Sequence, residues 1–191
     1  MSVMTSVIPH GRPFTVDDLE GMPDDGNRYE LIDGMLFVSP APVPWHQLVL
    51  GELFYLLRTA CPPGLLVLFA PLDVQPDRLN SLQPDVLVAA RADFGPNNLP
   101  VAPLLVAEVL SPSTRLYDLN TKRSAYERMG VRSYLIVDPT VPCTLTVLEL
   151  DDAGAYRKVA HVEGDEAFVG TRPFPFTIVP ARLLDGLRPR E

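Results

Sequence analysis

Residues 104–111 read LLVAEVLS and place one carboxylate, that of Glu108, inside an otherwise apolar run. A short apolar run of this kind is typical of a buried strand. Side chains alternate between the two faces of a strand, and both faces are apolar here. We therefore expect Glu108 to be shielded from water and to need a partner. The alternative is a residue at the strand end that faces solvent.

A second carboxylate, Asp85, starts the preceding predicted strand in LQPDVLVAA, residues 82–90. If the two strands pair antiparallel as neighbours, the start of one lies beside the end of the other. Asp85 and Glu108 would then repel each other unless one is protonated or a cation neutralises them. Mg²⁺ is commonly held by one or two carboxylates with waters and substrate phosphate. The alternative for Asp85 is a loop residue, after proline, that hydrogen-bonds to backbone.

Lys122 is the third residue that does not suit an ordinary core. The chain has two lysines and fourteen arginines. On a predicted helix over 116–129, Lys122 falls inside the apolar stripe. A compact ammonium with a tunable pKa is harder to replace by arginine than a surface charge is. The alternative is a stem that passes the core to reach solvent, aided by Asp118 one turn earlier.

Length and composition predict one globular domain. The chain has 191 residues, of which 47% are hydrophobic. We expect a flexible tail over 1–13 and a single domain over 14–191. No apolar run approaches the ~20 residues of a membrane span. The N-terminus lacks a signal-peptide pattern, and two distant cysteines fit a reducing compartment. We therefore expect a cytoplasmic protein without a membrane partner.

The pattern of apolar runs and turns predicts a mixed α+β chain rather than a doubly wound parallel sheet, because several strands follow one another directly. Asp33-Gly34 indicates a hairpin over 28–39. The remaining predicted strands are 65–74, 85–90, 104–110, 133–137, 144–150, 156–162 and a short strand in the tail. The predicted helices are 16–21, 43–61, 116–129 with Gly130 at its end, and a turn near 181–184.

Charge is distributed unevenly along the chain. The net charge is −8, which argues against a protein that coats nucleic acid non-specifically. From residue 115 to 132, however, there are five bases and two acids. Such a run is either a solvated helix face or a local contact for nucleic acid.

The order YELIDG, a helix beginning near WH, QPDV, AEVLSPSTR, DLNTKRSAYERMGV and SYLIVDP resembles the Uma-type restriction endonuclease family of the PD-(D/E)XK nuclease superfamily. The resemblance runs from about residue 29 to residue 139. It implies a restriction-endonuclease-like mixed sheet flanked by helices, here with additional antiparallel hairpins. It also implies Mg²⁺-dependent cleavage of phosphodiester bonds in nucleic acid. The expected substrate is DNA rather than RNA, and Mn²⁺ can substitute for Mg²⁺.

The resemblance also implies roles for individual residues. Asp85 and Glu108 match the two acidic positions of the motif, and Lys122 matches a lysine supplied by the following helix. Leu110 stands where the motif has its own lysine, which is a departure. The catalytic set implied is therefore Asp85, Glu108 and Lys122, with Asp85, Glu108 and Glu30 as metal ligands.

Other positions have secondary or open interpretations. His46 matches a family position and either shuttles a proton or is an ordinary first-turn helix residue. Asp118 is a second auxiliary candidate, and Trp45 is expected to anchor a core or an interface. Arg115 and Arg123 are candidate contacts for the nucleic-acid backbone.

Two other function classes remain open. One is a nuclease-fold module that binds or assembles without turnover, which the net charge and Leu110 favour. The other is a small-molecule phosphodiesterase. No phosphate-binding glycine loop or GxSxG motif is present. We expect a homodimer, because cleavage of both strands of a duplex needs two active sites or two events.

Overall fold

The computed structural model describes residues 5–7 and 11–187, where strands outnumber helices. The strands are β1 (Thr5–Val7), β2 (Arg28–Ile32), β3 (Met35–Ser39), β4 (Leu65–Phe69), β5 (Val74–Asp77), β6 (Asn80–Leu82), β7 (Val86–Ala90), β8 (Leu105–Val109), β9 (Ser133–Asp138), β10 (Thr144–Leu150), β11 (Tyr156–Glu163), β12 (Phe168–Gly170) and β13 (Phe176–Ile178). The helices are α1 (Val16–Leu19), α2 (Pro44–Ala60) and α3 (Arg123–Met129). Within the described ranges, no helix has the length and apolar character to cross a bilayer.

A six-stranded mixed sheet forms the centre of the fold, in the order β11-β10-β9-β8-β7-β4. Strands β8 and β9 are parallel, and the other neighbouring pairs are antiparallel. All five residues of β8 are buried. The mixed sheet with flanking helices and hairpins confirms the predicted fold class.

The two faces of this sheet pack against different layers. Leu105 and Val109 of β8 belong to a core that includes the apolar face of α2. Val106 and Leu110 belong to a second core, on the side of α3 and the smaller sheet. Because side chains alternate along the strand, Glu108 faces the second side.

The smaller sheet has five strands in the order β1-β3-β2-β6-β5. Its β2–β3 hairpin turns at Asp33 and Gly34, with φ angles of 52° and 74°. Two positive φ angles are those of a type I′ turn, which the Asp-Gly dipeptide favours. A Cβ at Gly34 would also lie 2.5 Å from Cβ of Pro13. The predicted hairpin over 28–39 is confirmed.

The connection from β8 to β9 carries the helix predicted over 116–129. Its first part, Tyr117–Lys122, is a π-helical turn, and α3 continues from Arg123. The helix ends at Gly130, whose φ of 88° is the left-handed geometry expected of a C-terminal glycine. In the wider π turn, residue i+5 lies over residue i. Lys122 therefore lies over the ring of Tyr117, with Nζ 5.4 Å from the ring centroid.

Two expectations about chain segments differ from the structure. The strand predicted over 65–74 ends at Phe69, and Val74 starts β5 in the other sheet, because Pro71 lacks the N–H that a ladder needs. Within the tail predicted over 1–13, residues 5–7 form β1, which pairs with β3. The rest of that tail up to residue 10, namely residues 1–4 and 8–10, lies outside the described residues.

Candidate active site

Asp85 and Glu108 lie opposite each other at one end of the β7–β8 pair. The register pairs Val86 with Ala107, so the next positions outward are Asp85 and Glu108. Each carboxylate accepts a hydrogen bond from a backbone N–H of the other strand. Val109 N–H donates to Asp85 Oδ2 at 2.9 Å, and Asp85 N–H makes a longer contact of 3.4 Å to Glu108 Oε2. Antiparallel pairing thus brings the two acids together, as the sequence predicts.

Lys122 reaches the same place from the π turn. Its Nζ lies 2.9 Å from Glu108 Oε1 and 3.1 Å from Glu30 Oε1, and its side chain is 3% exposed. Burial lowers the pKa of Lys122, but the carboxylates of Glu108 and Glu30 outweigh burial and raise it above its ordinary value. Lys122 is therefore a cation. Its remaining close contact, with the Gln83 carbonyl, is long at 3.4 Å, so one of its three N–H groups is weakly engaged.

Glu108 is the most crowded of the acids. Tyr126 donates its hydroxyl to Glu108 Oε1 at 2.8 Å, on the same oxygen that Lys122 contacts. Burial raises the pKa of Glu108 well above its ordinary value, with Asp85 adding to the shift and Lys122 opposing it. Its other oxygen, Oε2, accepts only the long contact from Asp85. Glu108 therefore has one oxygen directed towards Asp85 and short of donors.

Asp85 is held by cationic and ring donors. Arg28 Nη1 lies 3.3 Å from Oδ1, and His46 Nε2 lies 3.1 Å from Oδ2. Burial alone would raise the pKa of Asp85, but His46 and Arg28 outweigh burial and lower it below its usual range. His46 Nε2 also lies 2.9 Å from the Val109 carbonyl. Both neighbours of Nε2 are acceptors, so this nitrogen carries a hydrogen, while the buried Nδ1 has no hydrogen-bond partner.

Glu30 contacts Lys122 from the smaller sheet. Its Oε1 accepts from the Gln83 backbone N–H at 2.7 Å and from Lys122 at 3.1 Å. Over the described ranges 5–7 and 11–187, no three His, Cys, Asp or Glu side chains are grouped so as to hold a metal ion. The role of Glu30 as a metal ligand with Asp85 and Glu108 remains a prediction from the sequence; in the structure, the ammonium of Lys122 bridges Glu30 and Glu108.

Asp118 lies on the far side of Lys122, at 4.0 Å from Nζ, and accepts from Thr114 Oγ1 at 2.7 Å. Burial raises the pKa of Asp118 from 3.8 to about 6. The folded chain thus holds this proton more tightly than the unfolded chain. Ionisation of Asp118 therefore lowers the free energy of unfolding, and this loss develops as the pH rises from about 4 to about 6.

We expect Asp118→Asn to stabilise the protein at pH 7.5 by on the order of 2 kcal/mol, and to leave stability unchanged near pH 4. Asparagine still accepts from Thr114 and removes the buried charge. Urea denaturation at both pH values measures the difference. Asp152→Asn, an exposed aspartate in the β10–β11 turn, serves as the control. Equal stability of Asp118→Asn and the unaltered protein at pH 7.5 would contradict the prediction.

The charged cluster forms the floor of a cleft of about 410 Å³. The cleft is lined by Arg28, Glu30, Ser39, Pro40, Ala41, Pro42, Val43, Trp45, His46, Asp85, Glu108, Ser111, Pro112, Ser113, Thr114, Tyr117, Asp118 and Lys122. The structure thus brings the three predicted catalytic residues and both auxiliary candidates into one cavity. This volume lies within the range of small-ligand pockets.

The two arginines predicted to contact nucleic acid do not line this cleft. Arg115 pairs with Asp138 at 2.5 Å. Arg123 is exposed. Burial raises the pKa of Tyr156, with Glu127 adding to the shift and Arg123 opposing it, which places Arg123 near β11. Both roles remain predictions from the sequence.

A divalent cation fits the donor chemistry at Asp85 and Glu108. The cluster holds four carboxylates, from Glu30, Asp85, Glu108 and Asp118, against the two cations Arg28 and Lys122. With all four carboxylates ionised, these groups carry a net charge of about −2, which one divalent ion balances. Glu108 Oε2 and Asp85 Oδ1 make only long contacts, of 3.4 Å and 3.3 Å. Two carboxylates with waters are a set that Mg²⁺ accepts.

The family model Uma2, described as a putative restriction endonuclease, matches residues 16–183. This chain belongs to the Uma2 family. The match covers every residue that lines the cleft, and the family predicted from the sequence is confirmed. No curated protein matches the chain.

The Uma2 fold is also seen in a solved structure from Anabaena variabilis, described as a putative nuclease belonging to DUF820. The TM-score is 0.63 at 19% identity, over 84% of this chain and 90% of that chain. At this identity, the likeness bears on the fold alone. It agrees with the mixed sheet and flanking helices described above.

Some residues that contact the charged cluster of this Uma2 protein were not predicted as site residues. Arg28 directly precedes YELIDG, and Gln83 directly precedes the Pro-Asp pair. Tyr126, on the apolar stripe of the predicted helix, is fully buried and donates to Glu108. The proximity of Arg28 and Gln83 to the quoted motifs was the available signal. Nothing in the sequence distinguished Tyr126 from other stripe residues.

Proposed function

We propose that this Uma2 protein hydrolyses phosphodiester bonds of nucleic acid in the cleft, with Mg²⁺ as its ion and DNA as its substrate. The observation that supports the proposal is the convergence of Asp85, Glu108 and Lys122 at one point of the cleft. Two acids and one ammonium are what metal-assisted hydrolysis of a phosphodiester requires.

Asp85 and Glu108 would hold the ion, with Mn²⁺ as a substitute for Mg²⁺. When bound, the ion would polarise a phosphoryl oxygen and lower the pKa of a water molecule. His46 and Arg28 fix the orientation of Asp85, and Tyr126 fixes that of Glu108. These fixed contacts keep the two acids in place while substrate enters.

Lys122 acts on the reacting group through its weakly engaged N–H. Glu30 and Glu108 each accept one N–H of the ammonium. The remaining donor can then orient the attacking water and stabilise negative charge as it builds on the phosphoryl oxygens. Because burial removes competing water, this interaction is stronger than it would be at the surface.

The test is a cleavage assay on supercoiled plasmid, single-stranded DNA and RNA, with Mg²⁺, with Mn²⁺ and with EDTA. We expect cleavage that needs the divalent ion. A Lys122→Met preparation, purified in parallel, controls for contaminating nucleases. Ion binding without cleavage of any nucleic acid would contradict the proposal and favour a binding module.

The confined cleft supports a second candidate, hydrolysis of a small phosphodiester. A cavity of about 410 Å³ with an acidic floor suits a ligand of nucleotide size. A screen of cyclic and linear dinucleotides separates this activity from cleavage of polymers. A cytoplasmic location and a homodimer remain proposals from the sequence. Sedimentation equilibrium measures the oligomeric state.

A further inference from the structure

The cleft also has an uncharged side. This side, which we call the proline–tryptophan wall, consists of residues 40–43 and Trp45. Val43 is 44% exposed, and Trp45, the chain's one tryptophan, is half-buried at the start of α2. The ring of Trp45 lies 6.2 Å from that of His46, centroid to centroid. The wall therefore presents apolar and aromatic surface directly beside the acidic cluster.

Cations are few in the cleft. Among its lining residues only Arg28 and Lys122 carry a fixed positive charge, and both are paired with carboxylates. A protein that grips duplex DNA neutralises several phosphates with lysine and arginine side chains. Arg115 and Arg123 lie outside the cleft, and the net charge of the chain is −8. The cleft can engage one or two phosphates, but not the backbone of a duplex.

We propose that the cleft binds an unpaired nucleotide of a single-stranded nucleic acid. The base packs against the proline–tryptophan wall, and the adjoining phosphate lies at Lys122. The inference rests on the proposed phosphodiester hydrolysis and names its substrate class. Trp45 is the specificity-determining residue, because a paired base cannot present its face to the ring.

The energetics favour this class of substrate. Stacking of a base on an aromatic side chain contributes enough binding free energy to compensate for the phosphate contacts that the cleft lacks. Every base has a face that can stack. Binding is therefore tolerant of sequence and depends weakly on salt. A duplex would have to unstack and unpair a nucleotide before it could enter. One active site cuts one strand, so this substrate does not require the predicted dimer.

Trp45 is the chain's one tryptophan, so tryptophan fluorescence reports on ligand binding at the proline–tryptophan wall. We titrate the protein in EDTA, which prevents metal-dependent cleavage, with oligothymidylate, oligouridylate and a matched duplex. The expected result is saturable quenching by both single strands and weaker binding of the duplex. The slope of log K against log salt should lie between about −0.7 and −1.4, as for one or two phosphates.

Variants extend the test to binding of labelled oligonucleotides by anisotropy. Trp45→Ala should weaken single-strand binding between about fivefold and a hundredfold. Trp45→Phe, which keeps an aromatic face, should retain most of the affinity. Tyr55→Ala is the matched control, because Tyr55 is a 68% exposed aromatic on α2 outside the cleft. Its affinity should equal that of the unaltered protein.

The outcomes separate this inference from the proposed nuclease activity. Tighter binding of duplex than of single strands, or equal affinity of Trp45→Ala and unaltered protein, overturns the inference. Cleavage of nucleic acid without quenching of Trp45 also overturns it and leaves the hydrolysis in place. Quenching of Trp45 without cleavage of nucleic acid would support the single-stranded ligand class and contradict the proposed hydrolysis. Binding of one sugar type alone, DNA or RNA, supports the inference and identifies the polymer.

Discussion

Replacement of Lys122 by methionine should lower the rate of cleavage by about 10²- to 10³-fold, as loss of one charge-stabilising donor does in other hydrolytic sites. Methionine keeps the apolar stem and removes the ammonium. It also leaves the carboxylates of Glu108 and Glu30 buried without their shared cation. Loss of one partner of a buried ion pair costs about 3–5 kcal/mol, so the free energy of unfolding should fall as well.

Two measurements separate chemistry from folding in this variant. Denaturation at lower pH should restore much of the lost stability, because burial raises the pKa of Glu108 and this carboxylate can then be protonated, whereas cleavage should not return. Mg²⁺ binding should be retained or strengthened, since a positive charge has left the site. Lys158→Met is the matched control: Lys158, the other lysine, is exposed on β11. Cleavage by Lys122→Met at the normal rate would remove Lys122 from the mechanism.

Glu108→Gln should abolish the stabilisation that Mg²⁺ gives to the protein. At a Mg²⁺ concentration of about 100 times Kd, the ion should stabilise the unaltered protein by about 2.7 kcal/mol. Glutamine still accepts from Lys122 and Tyr126 through Oε1, but it lacks the second carboxylate oxygen. The ion-free variant should be at least as stable as the unaltered protein, because one buried charge beside Asp85 is gone.

Thermal melting with and without Mg²⁺, together with calorimetric titration, measures both effects. Glu52→Gln makes the same chemical change at an exposed site on α2 and should keep the full response to the ion. An unchanged response of Glu108→Gln to Mg²⁺ would exclude Glu108 as a ligand. Loss of stability without the ion would instead show that Glu108 is needed chiefly as the partner of Lys122.

Elements with a strong local signal could be predicted from the sequence. The Asp33-Gly34 turn, the apolar period of α2 and the buried run of β8 each depend on nearby residues. The β5–β6 hairpin could not, because Val74–Asp77 carries a proline and two polar residues. Its stability comes from pairing with β2 and from contacts such as Asn98 with Gln75, which a sequence window does not contain.

The residues of the site also divide into those with a local sequence signal and those without one. Glu108 and Lys122 were conspicuous because a charge in an apolar run or stripe needs a partner. Glu30 was predicted as a metal ligand, and its contact with Lys122 was not foreseen, because a residue of β2 and one of the β8–β9 connection meet only in the folded chain. The contacts of Arg28 and His46 with Asp85 span 57 and 39 residues respectively, and neither has a local signature.

The antiparallel β7–β8 pair and the start of the crossover that follows β8 place the whole chemical trio in one contiguous stretch of chain, residues 85–122. Contacts within this stretch join residues that are close in sequence, so they have low contact order and the loops between them close at low entropic cost. Arg28, Glu30 and His46 join from the N-terminal third of the chain. The acids and the ammonium therefore form a locally encoded module, while the N-terminal hairpin and α2 set its environment. Changes in that earlier third should tune this module rather than dismantle it.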